Sequence, residues 1–472
     1  MNLPRPADRS WWLEEALALP EFAGPERPAL EGETTADVVI LGGGYTGMWT
    51  AWSLKEREPS LDVVILEQDI CGGGPSGRNG GFCNALWEDA DFLVEALGQD
   101  LALETGMIAE RSIEDIHTWC VDHDVDAWIT PGGHVGVSAS PAQDGLWIST
   151  LRTMERLGVA EGRIETLTEE QVRSRCYSPV FRAGSWTPRT TIIQPARLAR
   201  GLRNALIERG VRIYENSPVS RLRGGPPAEA LTPSGSVTAG QMVLGLNAWA
   251  SQLTPFKRTV IPRASYIVIT EPAPEKLAEI NWTGGEGIFD YRTALHYLRT
   301  TPDGRLVFGA GGSRAGVGTG LGPRLRYDER SIQRLVHDML RMFPSFEGVA
   351  LEAAWGGPID VTGLHLPTFG TLGSGNVHYG HGYTGGGVGP CHMGGRILSG
   401  LVLGSDDEYT RLPLVGLQPR RFPPEPLLSV GAAITQEAIV RKDEAEDEDR
   451  RPNIVFDQIA KMPRRLGYNL GP

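Results

Sequence analysis

ADVVILGGGYTGMWTAWSLKEREPSLDVVILEQ, residues 36–68, is the stretch that decides the fold. Asp37-Val38-Val39-Ile40-Leu41 is a short apolar run of buried-strand type, and Gly42, Gly44 and Gly47 follow it on the G-x-G-x-x-G spacing of a strand-to-helix turn. Gly42 permits the tight turn, Gly44 lets the backbone approach a pyrophosphate, and Gly47 lets the new helix pack closely on the sheet. Tyr45 and Thr46 open a helix running to about Arg57, whose N-terminal N–H groups and positive dipole end suit that anion. Pro59-Ser60 ends the helix, and Leu61–Leu66 forms a second strand that stops at Glu67, twenty residues beyond Gly47. With its neighbour Gln68, this acid is placed to accept hydrogen bonds from ribose hydroxyls, and it would repel a 2′-phosphate. A glycine motif alone is weak evidence; strand, helix, second strand and terminal acid in this order predict a dinucleotide site.

The 472 residues suffice for two or three domains. A net charge of −13, with no block of Lys and Arg, argues against a nucleic-acid partner and mildly favours a cationic substrate, although it also serves solubility. No apolar run reaches the roughly 18 to 20 residues that span a bilayer, and the N-terminus lacks a signal-peptide core, so no membrane span and a cytoplasmic location are expected. The five cysteines, Cys71, Cys83, Cys120, Cys176 and Cys391, are scattered, without C-x-x-C or paired His spacing, which predicts reduced thiols and no metal site. Only five of the 45 basic residues are lysine, leaving few candidates for lysine-dependent chemistry.

Residues 1–35 are Pro-rich and carry Trp11-Trp12, an arm expected to pack on the domain or on a neighbouring subunit of a homo-oligomer. After the first βαβ unit, Cys71 to Phe82 holds six glycines in twelve residues, a density that serves close backbone approach. Ser76, Gly77, Arg78, Asn79, Gly80 and Gly81 are therefore candidate cofactor contacts, with backbone N–H donors around a pyrophosphate and a large ring.

GGGYTG, Glu67 and the segment PSGRNGGF together resemble FAD-dependent oxidoreductases of the D-amino-acid oxidase superfamily, which includes glycine, sarcosine and gamma-glutamylputrescine oxidases, with the strongest likeness to the last. The resemblance implies a mixed α/β fold: a Rossmann-type FAD-binding domain assembled from discontinuous segments 36–100, 190–255 and 354–404, and an antiparallel-sheet substrate domain from 101–189 and 256–353. Residues 1–35 would be an N-terminal arm and 405–472 a C-terminal extension. Val219 would present its backbone to adenine, and the strand and turn ending at Asn247 and Trp249 would return the chain to the cofactor. Gly382, Tyr383, Thr384, Gly385, Gly386, Gly387 and Val388 resemble the loop that wraps the flavin, followed by a helix whose N-terminus stabilises charge developing on the reduced ring.

Residues 90–185 read as helices with polar connections, and 262–312 as strands: Ala264–Thr270, Gly287–Tyr291, Leu295–Thr300 and Arg305–Phe308, the last two joined by the turn Pro302-Asp303-Gly304. In the family such a sheet covers the flavin. Alternation puts His296 and Leu298 on one face and Tyr297 and Arg299 on the other, without choosing which face meets the flavin.

Two departures from the family stand out. Gly386 stands where many relatives carry histidine, and no lysine stands where sarcosine-oxidase-like relatives activate oxygen. No cysteine lies near Trp355-Gly356, where those relatives attach flavin covalently, so non-covalent FAD is expected. The implied reaction is oxidation of a C–N bond in an amine or amino acid: hydride passes to flavin N5, the imine is hydrolysed, and O2 is reduced to H2O2. Tyr266, His296, Tyr297 and Trp355 are candidates to cover the substrate, Arg299 and Arg292 to bind an anionic tail, and Arg78 and His381 to supply positive charge for oxygen. The alternatives are a dehydrogenase passing electrons to a quinone or carrier, and a non-catalytic flavin-binding subunit.

Overall fold

The computed structural model describes residues 3–4, 8–315 and 320–469. Two eight-stranded sheets organise them. In the first, strand Gly32–Leu41 lies in parallel between Val63–Leu66 and Gly235–Leu244, with Arg212–Tyr214 beyond one and Val377–His381 beyond the other. Val38–Leu41 and Val63–Leu66 are wholly buried, as continuous apolar runs in a parallel sheet covered on both faces must be. Helices Tyr45–Arg57 and Val388–Leu403 cover one face together with the long helix Gln99–Asp122.

The second sheet is mainly antiparallel: Leu351–Val361, Ile261–Thr270, Leu306–Ala315, His296–Thr300 and Gly287–Asp290 run in spatial order. The expectation that residues 90–185 are helices with polar connections is corrected here, because three short strands, His134–Val137, Glu165–Leu167 and Gly184–Thr187, complete this sheet. They are only three or four residues long, too short for a period-two pattern to stand out, and they form because neighbouring strands supply partners.

Alternation divides the second sheet cleanly. Tyr266, Val268, Ile288, Leu298 and Phe308 face a core capped by helix Glu329–Met342. Ser265, Phe289, Tyr291 and Tyr297 face the first sheet. The helix Trp11–Leu17 packs on the chain's own body: Trp12 is fully buried edge-on to Trp355, Gln194 donates to the Trp12 carbonyl at 2.8 Å, and Glu15 pairs with Arg197 at 2.5 Å. At the other end of the chain, helix Leu427–Asp447 docks Asp443 and Asp447 against Arg292. All five cysteines are buried and free, and no helix among the described residues is long and apolar enough to cross a membrane.

Candidate active site

The parallel strands of the first sheet end together at Leu41, Leu66 and Leu244, where ligands of such sheets bind. Gly42 takes φ +109°, and a Cβ there would meet the Gly245 carbonyl oxygen at 2.4 Å. A Cβ on Gly47 would stand 2.0 Å from the Gly42 carbonyl oxygen, so only glycine lets the helix begin this close to the turn. Ser76 crosses from the second glycine-rich segment and accepts from the Tyr45 N–H at 2.8 Å. Glu67 accepts from the Gly43 N–H at 2.7 Å and the Asp69 N–H at 2.9 Å; burial outweighs these bonds and pushes its carboxyl up to about 7.

One cavity of about 1470 Å³ opens from this point. It exceeds the roughly 300 to 1,000 Å³ of ordinary small-ligand pockets. Its walls include Gly42, Gly44, Tyr45, Thr46, Glu67 and Gln68 from the first segment, Ser76, Arg78, Asn79 and Gly80 from the second, and Tyr383 to Val388 from the third. Val219, Asn247 and Trp249 line it as well. Gly77, Gly81 and Gly382 stand behind it: a Cβ on Gly77 would strike the Gly72 carbonyl oxygen at 2.2 Å, one on Gly81 the Ile193 carbonyl oxygen at 2.0 Å, and one on Gly382 the Thr362 side chain at 2.7 Å. These three shape the loops rather than bare a surface.

The cradle suits FAD on its own geometry. Gly74 meets nothing within 4 Å, and a Cβ on Gly44 would meet only Ser76 Oγ, at 3.0 Å, so the loop backbones lie bare to the cavity. Helix Val388–Leu403 begins at the cavity with no acid in its first turn, leaving N-terminal donors for an electron-rich ring.

Arg78 is the buried cation of this wall. It donates from Nε to the Gly73 carbonyl at 2.8 Å and from Nη1 to the Gly356 carbonyl at 3.3 Å, and burial pushes it down to about 10, where it remains charged at neutral pH. Asp360, which the motifs did not single out, is fully buried and lines the cavity. It accepts from the Gly382 N–H at 2.5 Å and from Asn247 Nδ2 at 3.1 Å, so it ties the third glycine-rich segment to the turn at 247. Burial pushes its carboxyl up to about 7 against these donors.

Of the side chains offered to cover the substrate, Tyr297 alone lines the cavity, and the placements of His296, Tyr266, Arg299, Trp355 and His381 are corrected. The Tyr297 ring lies between Gly80 and Gly309, where added Cβ atoms would meet it at 2.8 and 2.2 Å, and its hydroxyl contacts Ser265 Oγ at 2.6 Å. His296 points to the opposite face by alternation and is held by Asp290 at 2.7 Å and Asp338 at 3.1 Å. Tyr266 also turns away, its hydroxyl donating to the Arg324 carbonyl at 2.6 Å. Arg299 shares the face of Tyr297 but lies further along the strand, against Ile193 and the Trp12 ring, outside the cavity. Trp355 is likewise spent on structure, donating to the Arg78 carbonyl at 2.9 Å.

His381 is stacked on Tyr379 with ring centroids 5.2 Å apart, its Nδ1 is buried without a partner, and burial pushes it down to about 4. It is therefore uncharged at neutral pH and supplies no cation for oxygen. Replacing it with phenylalanine is expected to leave kcat/KM within about threefold and stability within about 1.5 kcal/mol, the usual limit for a volume-conserving swap. Steady-state rates and chemical denaturation check both.

Opposite the cradle, Phe289, Tyr291, Tyr297 and Trp147 form an aromatic wall, with Phe289 and Tyr291 rings 5.5 Å apart and Tyr291 and Trp147 5.6 Å apart. Gly136 makes room for it, since a Cβ there would meet the Tyr291 hydroxyl at 2.3 Å. Among the described residues no group of three or more His, Cys, Asp or Glu is arranged to hold a metal.

A profile of the DAO family, described as FAD dependent oxidoreductase, matches residues 37–401. Gamma-glutamylputrescine oxidoreductase of Escherichia coli (strain K12) is 30% identical over 414 residues, covering 86% of this chain and 93% of that protein. Among solved structures, glycine oxidase from Geobacillus kaustophilus superposes with a TM-score of 0.67 at 18% identity, over 82% of this chain and 99% of that one. L-proline dehydrogenase from P. horikoshii superposes with a TM-score of 0.64 at 18% identity, over 82% and 95% of the two chains.

Proposed function

The chain belongs to the DAO family of FAD-dependent oxidoreductases, and from that premise we propose that it oxidises a C–N bond in a small amine or amino acid, with O2 as the final electron acceptor. The observation that carries this reading is the single cavity joining the glycine cradle to the aromatic wall, which leaves room for a small molecule between a flavin and Tyr297. Bound FAD supplies the acceptor for a hydride leaving the carbon next to nitrogen. The chain does the rest. Glu67 offers its carboxyl to the ribose, and the N-terminus of helix Val388–Leu403 and Arg78 face the electron-rich end of the site. Phe289, Tyr291, Tyr297 and Trp147 exclude water from the reacting carbon and leave a neutral amine weakly solvated.

The cofactor is held without a covalent bond on this reading. Cys391 lines the cavity, but burial pushes its thiol up to about 12, and it is engaged by Thr46 at 3.3 Å, so it is a poor nucleophile. One observation favours a second acceptor: among the described residues no lysine lines the cavity to promote reaction with oxygen. A dehydrogenase using a quinone or carrier is therefore the alternative.

Anaerobic mixing of the FAD-loaded protein with primary amines, N-methyl amines, amino acids of both hands and aminophosphonates tests the proposal. At least one class is expected to bleach the flavin, with peroxide formed when air is admitted. Bleaching without peroxide selects the carrier-linked alternative, and a flavin that no amine bleaches overturns both.

A further inference from the structure

Glu88 stands in the wall of the active-site cavity and takes no part in cradling the cofactor. Its side chain is 24% exposed, and both of its oxygens are already oriented by the protein: Oε1 is 3.0 Å from His134 Nδ1, and Oε2 accepts from Asn84 Nδ2 at 2.5 Å. His134 is fully buried, and its Nε2 lies 3.2 Å from the Thr191 carbonyl oxygen. A carbonyl only accepts, so Nε2 is the donor of that contact. A carboxylate has about four acceptor positions, and two are used here. Fixing a carboxylate this firmly while leaving it open to a cavity is the arrangement of a group that receives a donor.

Its surroundings specify the donor. Tyr291, Phe289 and Trp147 line the same cavity, and aromatic faces attract cations. Asn84, which holds Glu88, also lines the cavity, and its Oδ1 is a buried acceptor without a protein partner. The carbonyl of Asn84 packs against the first turn of helix Val388–Leu403, where a Cβ on Gly389 would lie 2.3 Å from it. Phe82 links the same corner to the cradle, its ring 4.8 Å from that of His134. The carboxylate thus stands where the aromatic wall meets the second and third glycine-rich segments.

We propose that Glu88, oriented by His134 and Asn84 and faced by Tyr291, is the docking site for the substrate's primary ammonium group and accepts a proton from it. The proposal rests on the amine-oxidation reading above. The ammonium N–H bond breaks as an O–H bond forms on Glu88, leaving the nitrogen lone pair free. That pair then becomes the second C–N bond as the α-carbon loses hydride to the flavin, so the substrate is oxidised by two electrons and the flavin reduced by two. The proton returns to solvent through the open side of the cavity. Asp89 and Tyr291 are titratable groups close enough to feel this carboxylate, Asp91, Arg152, Arg156 and Arg464 line the same cavity, and Asp89 in turn meets His365 at 3.5 Å.

The test uses the FAD-loaded enzyme and its Glu88→Gln and Glu88→Asp variants. Binding of a primary amine with no hydrogen on its α-carbon, which cannot be oxidised, is measured by calorimetry, and kcat/KM for an oxidised amine is measured against pH. Glu88→Gln is expected to keep its FAD, to weaken the non-oxidisable amine at least tenfold, and to lose the ascending limb of the pH profile, with Glu88→Asp recovering part of both. If the wild type bleaches with amine and Glu88→Gln matches it in affinity and pH profile, the docking site is overturned while the function stands. If Glu88→Gln loses amine binding but no amine bleaches the wild type, the docking site stands and the function falls. A wild type that binds no amine overturns both.

Discussion

Gly44→Val protein is expected to purify colourless and to hold less than a tenth of the wild-type FAD after reconstitution with excess cofactor. Gly44 is the N-cap of helix Tyr45–Arg57, with φ −86° and ψ −179°, extended angles that any residue adopts, so the substitution carries no backbone strain. The effect is one of space. A Cβ meets Ser76 Oγ at 3.0 Å, and the two methyl groups beyond it project into the cavity where the proposed pyrophosphate approaches the helix. They also press on the hydroxyl that accepts from the Tyr45 N–H at 2.8 Å. The cofactor-free variant should melt within a few degrees of cofactor-free wild type. Gly47→Val is the contrasting control, because its Cβ would lie 2.0 Å from the Gly42 carbonyl oxygen and the turn itself would have to open. Absorbance at the flavin maximum per mole of protein reports the outcome, and a yellow, fully loaded Gly44→Val protein would contradict the site.

Arg292→Met is expected to cost about 3 to 5 kcal/mol of stability, the usual penalty for stripping one partner from a buried ionic cluster. Arg292 is 5% exposed, and its Nη1 is 2.9 Å from Asp338, with Asp443 and Asp447 each at 3.5 Å. Methionine fills most of the volume but leaves these carboxylates facing one another without their shared cation. Since Asp443 and Asp447 belong to helix Leu427–Asp447, the loss should loosen that helix first. Limited proteolysis should therefore cut the C-terminal extension of the variant sooner than that of the wild type, and urea denaturation gives the magnitude. An unchanged urea midpoint would show that the cluster contributes nothing net.

The same cluster sets a pH dependence. Burial alone would push His296 down, but Asp290 and Asp338 outweigh it and hold the imidazole up at about 9, above the roughly 6.5 of an unfolded chain. The folded state therefore binds the extra proton between those values. Its contribution is complete below about pH 6.5 and is lost as pH rises through about 9. Unfolding midpoints taken from pH 6 to 10 should fall more steeply for wild type than for His296→Phe; parallel curves would contradict the assignment.

Much of the cofactor half was legible in the chain because its signals are local. Strand, glycine turn, helix and terminal acid occupy one continuous stretch, and Glu67 sits at the end of its strand next to Gly43, as the spacing required. The aromatic wall was only half legible. Alternation separated Tyr297 from His296, but the choice between faces depended on which side of the sheet helix Glu329–Met342 would cover. Arg299 shares the face of Tyr297, as alternation required, and still misses the cavity, since its depth along the strand puts it against Ile193. Glu88 and Asp360 carried no motif at all. Each becomes notable through a partner far off in sequence, His134 for the first and Gly382 for the second, and no spacing rule connects them.

By itself, then, the sequence pointed to a dinucleotide at a βαβ turn and to three glycine-rich segments around it, because a tight turn and close backbone approach favour glycine. Tertiary structure decided which polar side chains line the cavity. A side chain's exposure, its charge and the direction it faces follow from what packs against it, and here those neighbours come from strands and helices tens of residues away.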